Sequence, residues 1–381
     1  MKLAKRTFYK IEWLFLMISL LVVAMIIRQF PEACESWTRT ISRTYVTIVG
    51  STNKYLPFSI TELIFLAIIA YVIYVITSIV IDIVKRKQDT KWGQMILSLL
   101  LISSTLFSTF MISAGMSYGR NPVDLPQYQE KVDYAEYKSI VYHYLDDLNY
   151  CASVLSFDET GEVINPYSHS EMNILMEREY TKLDSDYFSS FTNYSKPMMS
   201  SFLYREFQIT GVSFLSTGEI NYNYAIPNAE LPFTLAHETA HQKGVSREED
   251  AQLTALCITL NSDVPYFRYS GYLYSLSSLL VLLNFVGDSS AYGVAYRLVD
   301  DKIKIDYKTV YKYWSDHNLL ANFSRWWNNL FLIFNGQSSG IESYTDNPDI
   351  DNEGTEDDPI YVLTAYSPYQ KLFFALYYGH E

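Results

Sequence analysis

Thiols and imidazoles are scarce in this chain. It has three cysteines in 381 residues, Cys34, Cys151 and Cys257, far apart from one another. They allow one bridge at most, which excludes a disulfide framework and a cysteine-built metal site. Cys257 falls on an apolar helical stretch and reads as a small buried thiol. Histidine occurs six times, so a pattern that uses two of them carries weight. Positive charge is in deficit, with 29 Lys and Arg against 42 Asp and Glu. The formal net charge of −13 argues against a nucleic-acid partner.

Charge is missing altogether from three stretches. Residues 13–27 are uncharged and apolar, 63–81 are uncharged over 19 positions, and 93–119 over 27. Each is near or above the roughly 20 residues needed to cross a bilayer core, so transmembrane helices are expected at about 11–30, 60–82 and 94–116. A cleaved signal peptide is the alternative for the first, but the run is long for one and a second apolar segment follows soon after. Lys2, Lys5, Arg6 and Lys10 precede the first span, and Lys85, Arg86, Lys87 and Lys91 crowd the turn between the second and third. Both clusters belong in the cytoplasm of a multi-pass cell-membrane protein, with the lipid bilayer as one partner. Residues 28–57 then form an outer loop. The expected division is a membrane domain, 1–119, and an extracytoplasmic domain, 120–381.

That second domain opens at Arg120-Asn121-Pro122-Val123-Asp124 and is tyrosine-rich and acidic. In 134–155, Tyr137, Ile140, Val141, Tyr144, Leu145 and Leu148 recur at helical spacing, and 171–183 reads as another helix. Residues 207–226 change to alternation of β-branched and aromatic side chains, with turn signals at Gly211 and Thr217-Gly218. One or two strands are expected there. An edge strand at this point could pair with an extended peptide, which makes Glu219, Asn221 and Asn223 candidates for facing a substrate. The alternative is an ordinary hairpin over the core.

Residues 233–252 read FTLAHETAHQKGVSREEDAQ. His237, Glu238 and His241 have the spacing H-E-x-x-H, which on a helix puts both imidazoles on one face, one turn apart, where they can reach one metal ion. Glu238 then stands beside that ion, placed to take a proton from a water the metal has acidified. Pro232 suits the first turn of this helix, Lys243 the last, and Gly244 the left-handed stop. Ser246 with Glu249 three residues on is a capping-box pattern that starts a second helix running to about Asn261. If these two cap each other, Glu248 is free to be the third ligand, with Gln252 one turn on as a hydrogen-bonding support behind the ligands. Glu249 and Asp250 remain alternative ligands, and a solvated acidic first turn is the bland alternative for all three.

Two patterns compete. His237 to Gly244 satisfies the start of H-E-x-x-H-x-x-G-x-x-H, but Arg247 stands where the third histidine belongs, and no methionine occurs after Met199 to form the Met-turn of that class. A glutamate-ligand pattern, with E-x-x-A-D on a second helix, is matched by Glu248 to Gln252, with Gln252 in place of the aspartate. Three N-terminal spans, TGEINYN, and PFTLAHETAHQKGVSREEDAQ together resemble an uncharacterised, domain-of-unknown-function family of bacterial integral membrane proteins related to the gluzincin metallopeptidases. The resemblance implies Zn2+ on His237, His241 and Glu248, with Glu238 as general base.

The remainder reads as helical and aromatic. Residues 272–286 are uncharged but diluted by serines, and read as a buried or membrane-surface helix; a fourth span is the alternative. Trp314, Phe323, Trp326, Trp327, Leu330 and Phe331 read as core, or else as a face resting on the bilayer. The run 346–358 holds seven acids and no base and reads as a loop, without the alternation of an EF-hand. His317 and Tyr344 are candidates for stabilising an oxyanion, with a plain surface position the alternative for His317.

The expected fold is mainly α, with three transmembrane helices followed by a mostly helical, zincin-like domain with a small β-sheet. The expected function is a membrane-anchored zinc metallopeptidase cleaving a peptide or protein substrate outside the cell. A receptor or assembly factor that binds a peptide or wall component without cleaving it is the alternative; an intact Glu238 counts against it.

Overall fold

The computed structural model describes residues 2–87, 90–128, 130–183, 185–280, 283, 289–335, 350–352, 361–363 and 367–379. Helix α1 (Lys2–Ile27) leads through α2 (Pro31–Trp37), a π-helical turn (Thr38–Ser42) and α3 (Arg43–Asn53) to α4 (Ile60–Val84). Helix α5 (Trp92–Ser113) follows and ends in a 3-10 turn (Gly115–Gly119). Among the described residues, Thr7–Ile27, Ile60–Val84 and Trp92–Ser113 are long and apolar enough to cross a membrane. Phe15, Leu66, Ile73 and Val84 stand exposed on them. Leaving such surface in water costs about 25 cal/mol per Å2, a penalty that hydrocarbon relieves, so these helices support insertion in a membrane. Helices α1 and α5 pair: Lys10 Nζ donates to Ser98 Oγ (2.6 Å), and Ser108 Oγ to the Met17 carbonyl (3.3 Å).

The outer loop expected over 28–57 is instead helical and packed. Glu35 accepts from Arg120 Nε (2.7 Å) and Nη2 (2.8 Å), and Arg43 donates to the carbonyls of Asp186 and Tyr187 (both 2.6 Å). Asn53 Nδ2 donates to the Thr217 carbonyl (2.7 Å). The hydrogen bonds of Arg120, with help from Arg39, hold the Glu35 carboxyl down at about 2 against the opposing effect of burial. Charges that read as scattered loop residues therefore tie the apolar helices to the C-terminal body, and that packing is what makes the segment fold.

The C-terminal body begins with β1 (Val132–Asp133) and α6 (Tyr134–Val154), then α7 (His169–Thr181), β2 (Ser195–Pro197), α8 (Ser201–Glu206), β3 (Gly211–Phe214) and β4 (Glu219–Tyr222). Next come α9 (Leu231–Gln242), α10 (Glu248–Leu260), α11 (Pro265–Leu280), α12 (Ser289–Leu298), α13 (Asp301–Asp316) and α14 (Ala321–Phe334). Strands β5 (Ile350–Asn352) and β6 (Tyr361–Leu363) and helix α15 (Pro368–Gly379) complete it. One sheet has the order β2-β4-β3, with β2 parallel and β3 antiparallel to β4; the other is β1-β6-β5.

The apolar face expected on α6 is buried in full, from Tyr137 to Leu148, against α11 and α15. Tyr137 and Tyr144 keep their hydroxyls bonded there by donating to the Leu279 (2.5 Å) and Phe373 (2.6 Å) carbonyls, as buried phenols must. Helix α11 is a core element, with Tyr266, Phe267 and Tyr269 fully buried. It contacts α6, α9 and α10, so its apolar sequence serves the core and not a fourth span; of the residues beyond it in the 272–286 run, only Leu283 is described.

The aromatic stretch divides in two. Trp314 on α13 turns inward, while Phe323, Trp326, Trp327 and Leu330 on α14 are exposed. Among the described residues nothing covers these four, so they follow the alternative of an exposed face and not the core expectation. Its inner side meets the end of α5, where Phe331 packs on Phe110 (5.9 Å between ring centres) and Phe334 on Phe107 (5.6 Å).

Candidate metal centre

Helix α9 starts with Pro232 in its first turn and stops where Gly244 takes φ +99°. A side chain is strained at that φ, so the glycine is what lets the chain reverse and bring α10 back over α9. The reversal also places the Val245 carbonyl 2.7 Å from His241 Nδ1. Donation to that carbonyl fixes the proton on Nδ1 and turns the Nε2 lone pair inward.

Three donor atoms converge at this point. His237 Nε2 and His241 Nε2 are 3.1 Å apart, Glu248 Oε2 is 3.3 Å from the first, and Glu248 Oε1 is 3.6 Å from the second. Donors bound tetrahedrally at 2.0–2.1 Å stand about 3.3 Å from one another, so the three side chains fit one zinc ion. They are the one such ligand group among the described residues. Their electrostatics ask for a cation as well. Burial disfavours charge on His241, yet Glu248 outweighs it and lifts the imidazole to about 9. Glu248, although burial opposes its ionisation, is held below the usual carboxylate range by both histidines.

Glu248 reaches the cluster by a different route from the one the sequence implies. Ser246 does not cap α10, because its hydroxyl is drawn to Ser117 Oγ (2.5 Å) and the Ala114 carbonyl (3.3 Å) at the end of α5. Arg247 occupies the cap position without a side-chain cap. Asp250 is taken by Arg247 Nε at 2.7 Å, and Glu249 is outside the cluster. Gln252 accepts from Tyr369 Oη (2.6 Å) and faces a cavity beside His237 and Glu248.

Glu238 is buried beside the cluster, and its Oε2 has no hydrogen-bond partner among the described residues. Burial pushes its carboxyl upward, opposed by His237 and His241. Its backbone carbonyl accepts from Ser213 Oγ at 2.6 Å, which pins β3 to α9. Gly211 on β3 packs directly on the Glu238 side chain: a Cβ there would lie 2.5 Å from Glu238 Cγ and 2.8 Å from Oε1. The glycine is the space in which the carboxylate sits.

A cavity of about 630 Å3 opens in front of these groups, walled by β3, by Tyr118 and the end of α5, and by Arg325 and Asn328 of α14. Strand β3 pairs with β4 on one side only, so it is the edge that lies along the cavity. The strand expected to face a substrate is the wrong one. Glu219, Asn221 and Asn223 belong to β4 or follow it, and β4 is the central strand, hydrogen-bonded on both sides. Glu219 and Asn223 are fully buried and Asn221 nearly so. Asn221 and Asn223 donate to the Val212 (3.4 Å) and Ile209 (3.0 Å) carbonyls, so both serve the sheet.

His317 also lies elsewhere, with Nδ1 3.0 Å from Glu206 Oε1 and its ring against Tyr313, and it lines neither cavity at the centre. Tyr344 falls outside the described residues, as does the acidic run 346–358 apart from 350–352. Among the described residues the tyrosine that does reach this cavity is Tyr118, half-buried near Glu248. Among 34 tyrosines its signal was its place at the end of the third uncharged run, just past the expected span 94–116.

No curated protein and no solved structure matches the chain. One family model does, described as a protein of unknown function (DUF3810), and its match runs over residues 37–350. That span takes in α4, α5 and every residue of the centre just described, and the chain belongs to this family of proteins of unknown function.

Proposed function

We propose that the protein is a membrane-anchored, zinc-dependent peptidase of the gluzincin kind, working on the outer side of the membrane. The observation that carries this is the convergence of His237, His241 and Glu248 at zinc-ligand spacing beside a buried Glu238 whose Oε2 is unpaired, at the edge of an open cavity. Zinc, when bound, supplies Lewis-acid polarisation of the scissile carbonyl and acidifies a water.

The chain's own groups do the rest. The edge of β3 offers backbone hydrogen bonds to an extended peptide and so fixes its register along the cavity. Glu238, with its carboxyl already raised by burial, accepts a proton from the attacking water and returns it to the leaving amine nitrogen. The Val245 carbonyl keeps His241 in the tautomer that leaves Nε2 as a donor. Lys85, Arg86, Lys87 and Lys91 between α4 and α5 favour the cytoplasm, which supports an outer position for the opposite ends of these helices and the cavity beyond them. The exposed aromatic face of α14, continuous with the end of α5, suits the bilayer interface.

The test is metal content of the purified full chain in detergent, compared with His237→Ala and Glu248→Ala. About one zinc per chain is expected in the parent and a clear loss in both variants. Equal zinc in all three would remove the site. Glu238→Gln should keep its zinc and lose turnover of a quenched fluorescent peptide library; unchanged turnover would leave a binding role instead.

A further inference from the structure

A second cavity, about 360 Å3, shares His237 and Glu248 with the first. Glu230 lines it, seven residues before His237 on the same helix face and so about 10 Å away along the axis. Its side chain caps nothing, although it precedes α9. One oxygen accepts from Trp314 Nε1 at 2.8 Å; the other has no hydrogen-bond partner among the described residues. The surrounding walls are aromatic, from Phe233, Tyr274, Tyr307, Tyr311 and Trp314, with Phe233 and Tyr274 stacked at 3.7 Å. Among the described residues no lysine or arginine lines the cavity, while two glutamates do.

A carboxylate in such a place is expensive. Burial pushes Glu230 up to about 7; Trp314 offsets part of this, and Asp306 adds to it. An apolar residue of similar volume would serve a structural role better. What the cavity lacks is a positive charge, and aromatic faces beside a carboxylate are what a lysine or arginine head group binds.

We propose that this cavity is the pocket for a lysine or arginine side chain of the peptide substrate, with Glu230 as its counter-charge and the aromatic side chains as its walls. The assignment rests on the peptidase reading for the word substrate. The separation fits it: a chain extending roughly 6–7 Å from its Cα, on a residue whose backbone lies at the metal centre, brings the cation to Glu230. An apolar side chain in the same place would strip water from Glu230 without replacing it, and an acidic one would be repelled.

The experiment uses the full chain in detergent with Glu238→Gln, so that turnover does not interfere, and titration calorimetry with a blocked alanine pentapeptide carrying a central arginine or norleucine. At least tenfold tighter binding of the arginine peptide is expected. Adding Glu230→Gln should erase that preference with zinc content unchanged. Tyr311→Ala, at the exposed mouth where folding is not at risk, should weaken the arginine peptide alone. Equal affinities, a preference that survives Glu230→Gln, or no binding of either peptide would each overturn the pocket. A retained arginine preference in a parent protein that holds no zinc and cleaves nothing would instead sink the peptidase reading and leave the pocket standing.

Discussion

Two buried glutamates, Glu219 on β4 and Glu238 on α9, stand in adjacent elements and are treated in opposite ways. Glu219 accepts from Lys196 Nζ (2.7 Å), the Ile60 (2.9 Å) and Thr61 (2.8 Å) amides, Thr61 Oγ1 (2.6 Å) and Thr217 Oγ1 (3.1 Å). Burial raises its carboxyl, but these partners win and hold it below the usual range. The two amides are the first of α4, so Glu219 anchors this apolar helix to the β2-β4-β3 sheet and complements the helix's dipole. Glu62, the next residue in that first turn, answers by accepting from the Met199 (2.7 Å) and Ser200 (3.0 Å) amides. Glu238 has no such shell. A carboxylate whose lone pairs are all taken holds structure; one kept buried with an oxygen idle is available for chemistry.

The largest effects should fall on opposite properties. Glu238→Gln should lower peptide turnover by about 10³-fold, with the thermal midpoint in detergent unchanged or higher, since a poorly paired buried acid is removed. A midpoint that collapses in this variant would make Glu238 a structural residue. Glu219→Gln leaves Lys196 buried without its counter-ion and should cost about 3–5 kcal/mol of stability, while turnover per folded, zinc-loaded molecule stays at the parent value. Lost turnover at full stability would return Glu219 to the substrate-facing role that its place in TGEINYN invites.

Gly211→Ala sharpens the contrast with a smaller change. The added methyl would intrude on the Glu238 side chain without touching Glu219, and a displacement of about 1 Å in a catalytic group costs roughly 10²-fold. Turnover should fall by that order with zinc content intact. Parent-like rates would mean that Glu238 moves aside freely and that β3 does not set its position.

What could be read from the sequence was local. H-E-x-x-H is a matter of i, i+4 spacing, Gly244 is a stop signal, and the spans are long runs of one chemical kind, so each shows within a short window. The anchoring of α4 was hidden because Glu219 meets Ile60 and Thr61 across about 160 positions of chain. Separations of 129 and 84 residues likewise hide Ser246 with Ser117 and Glu230 with Trp314. Ser246 and Glu249 made a convincing capping box on paper because the competing hydroxyl, 129 residues earlier, leaves no periodic trace. Strand order was the remaining gap. Alternation marks β3 and β4 alike, and which of them is the edge depends on β2, which arrives from the other side of the sheet.

Asp306 tests whether an idle oxygen is enough to mark a functional acid. It is fully buried on α13, accepts from Tyr269 Oη at 2.6 Å, and has an Oδ1 with no hydrogen-bond partner among the described residues, yet it lines neither cavity at the candidate centre. Burial raises its carboxyl to about 6, above the value near 3.9 of an unfolded chain. The folded state therefore holds this proton more tightly, so the group favours folding below about pH 4 and loses that advantage as pH rises through 6, leaving a buried charge at neutrality. Asp306→Asn keeps the acceptor for Tyr269 and removes the charge. Its unfolding midpoint should match the parent at pH 4 and exceed it at pH 7, by up to about 3 kcal/mol in stability, with turnover unaffected. A stability difference independent of pH would mean that Asp306 is not the titrating group. A loss of turnover would mean that position at the cavity, the second half of the criterion separating Glu238 from Glu219, is the weaker half.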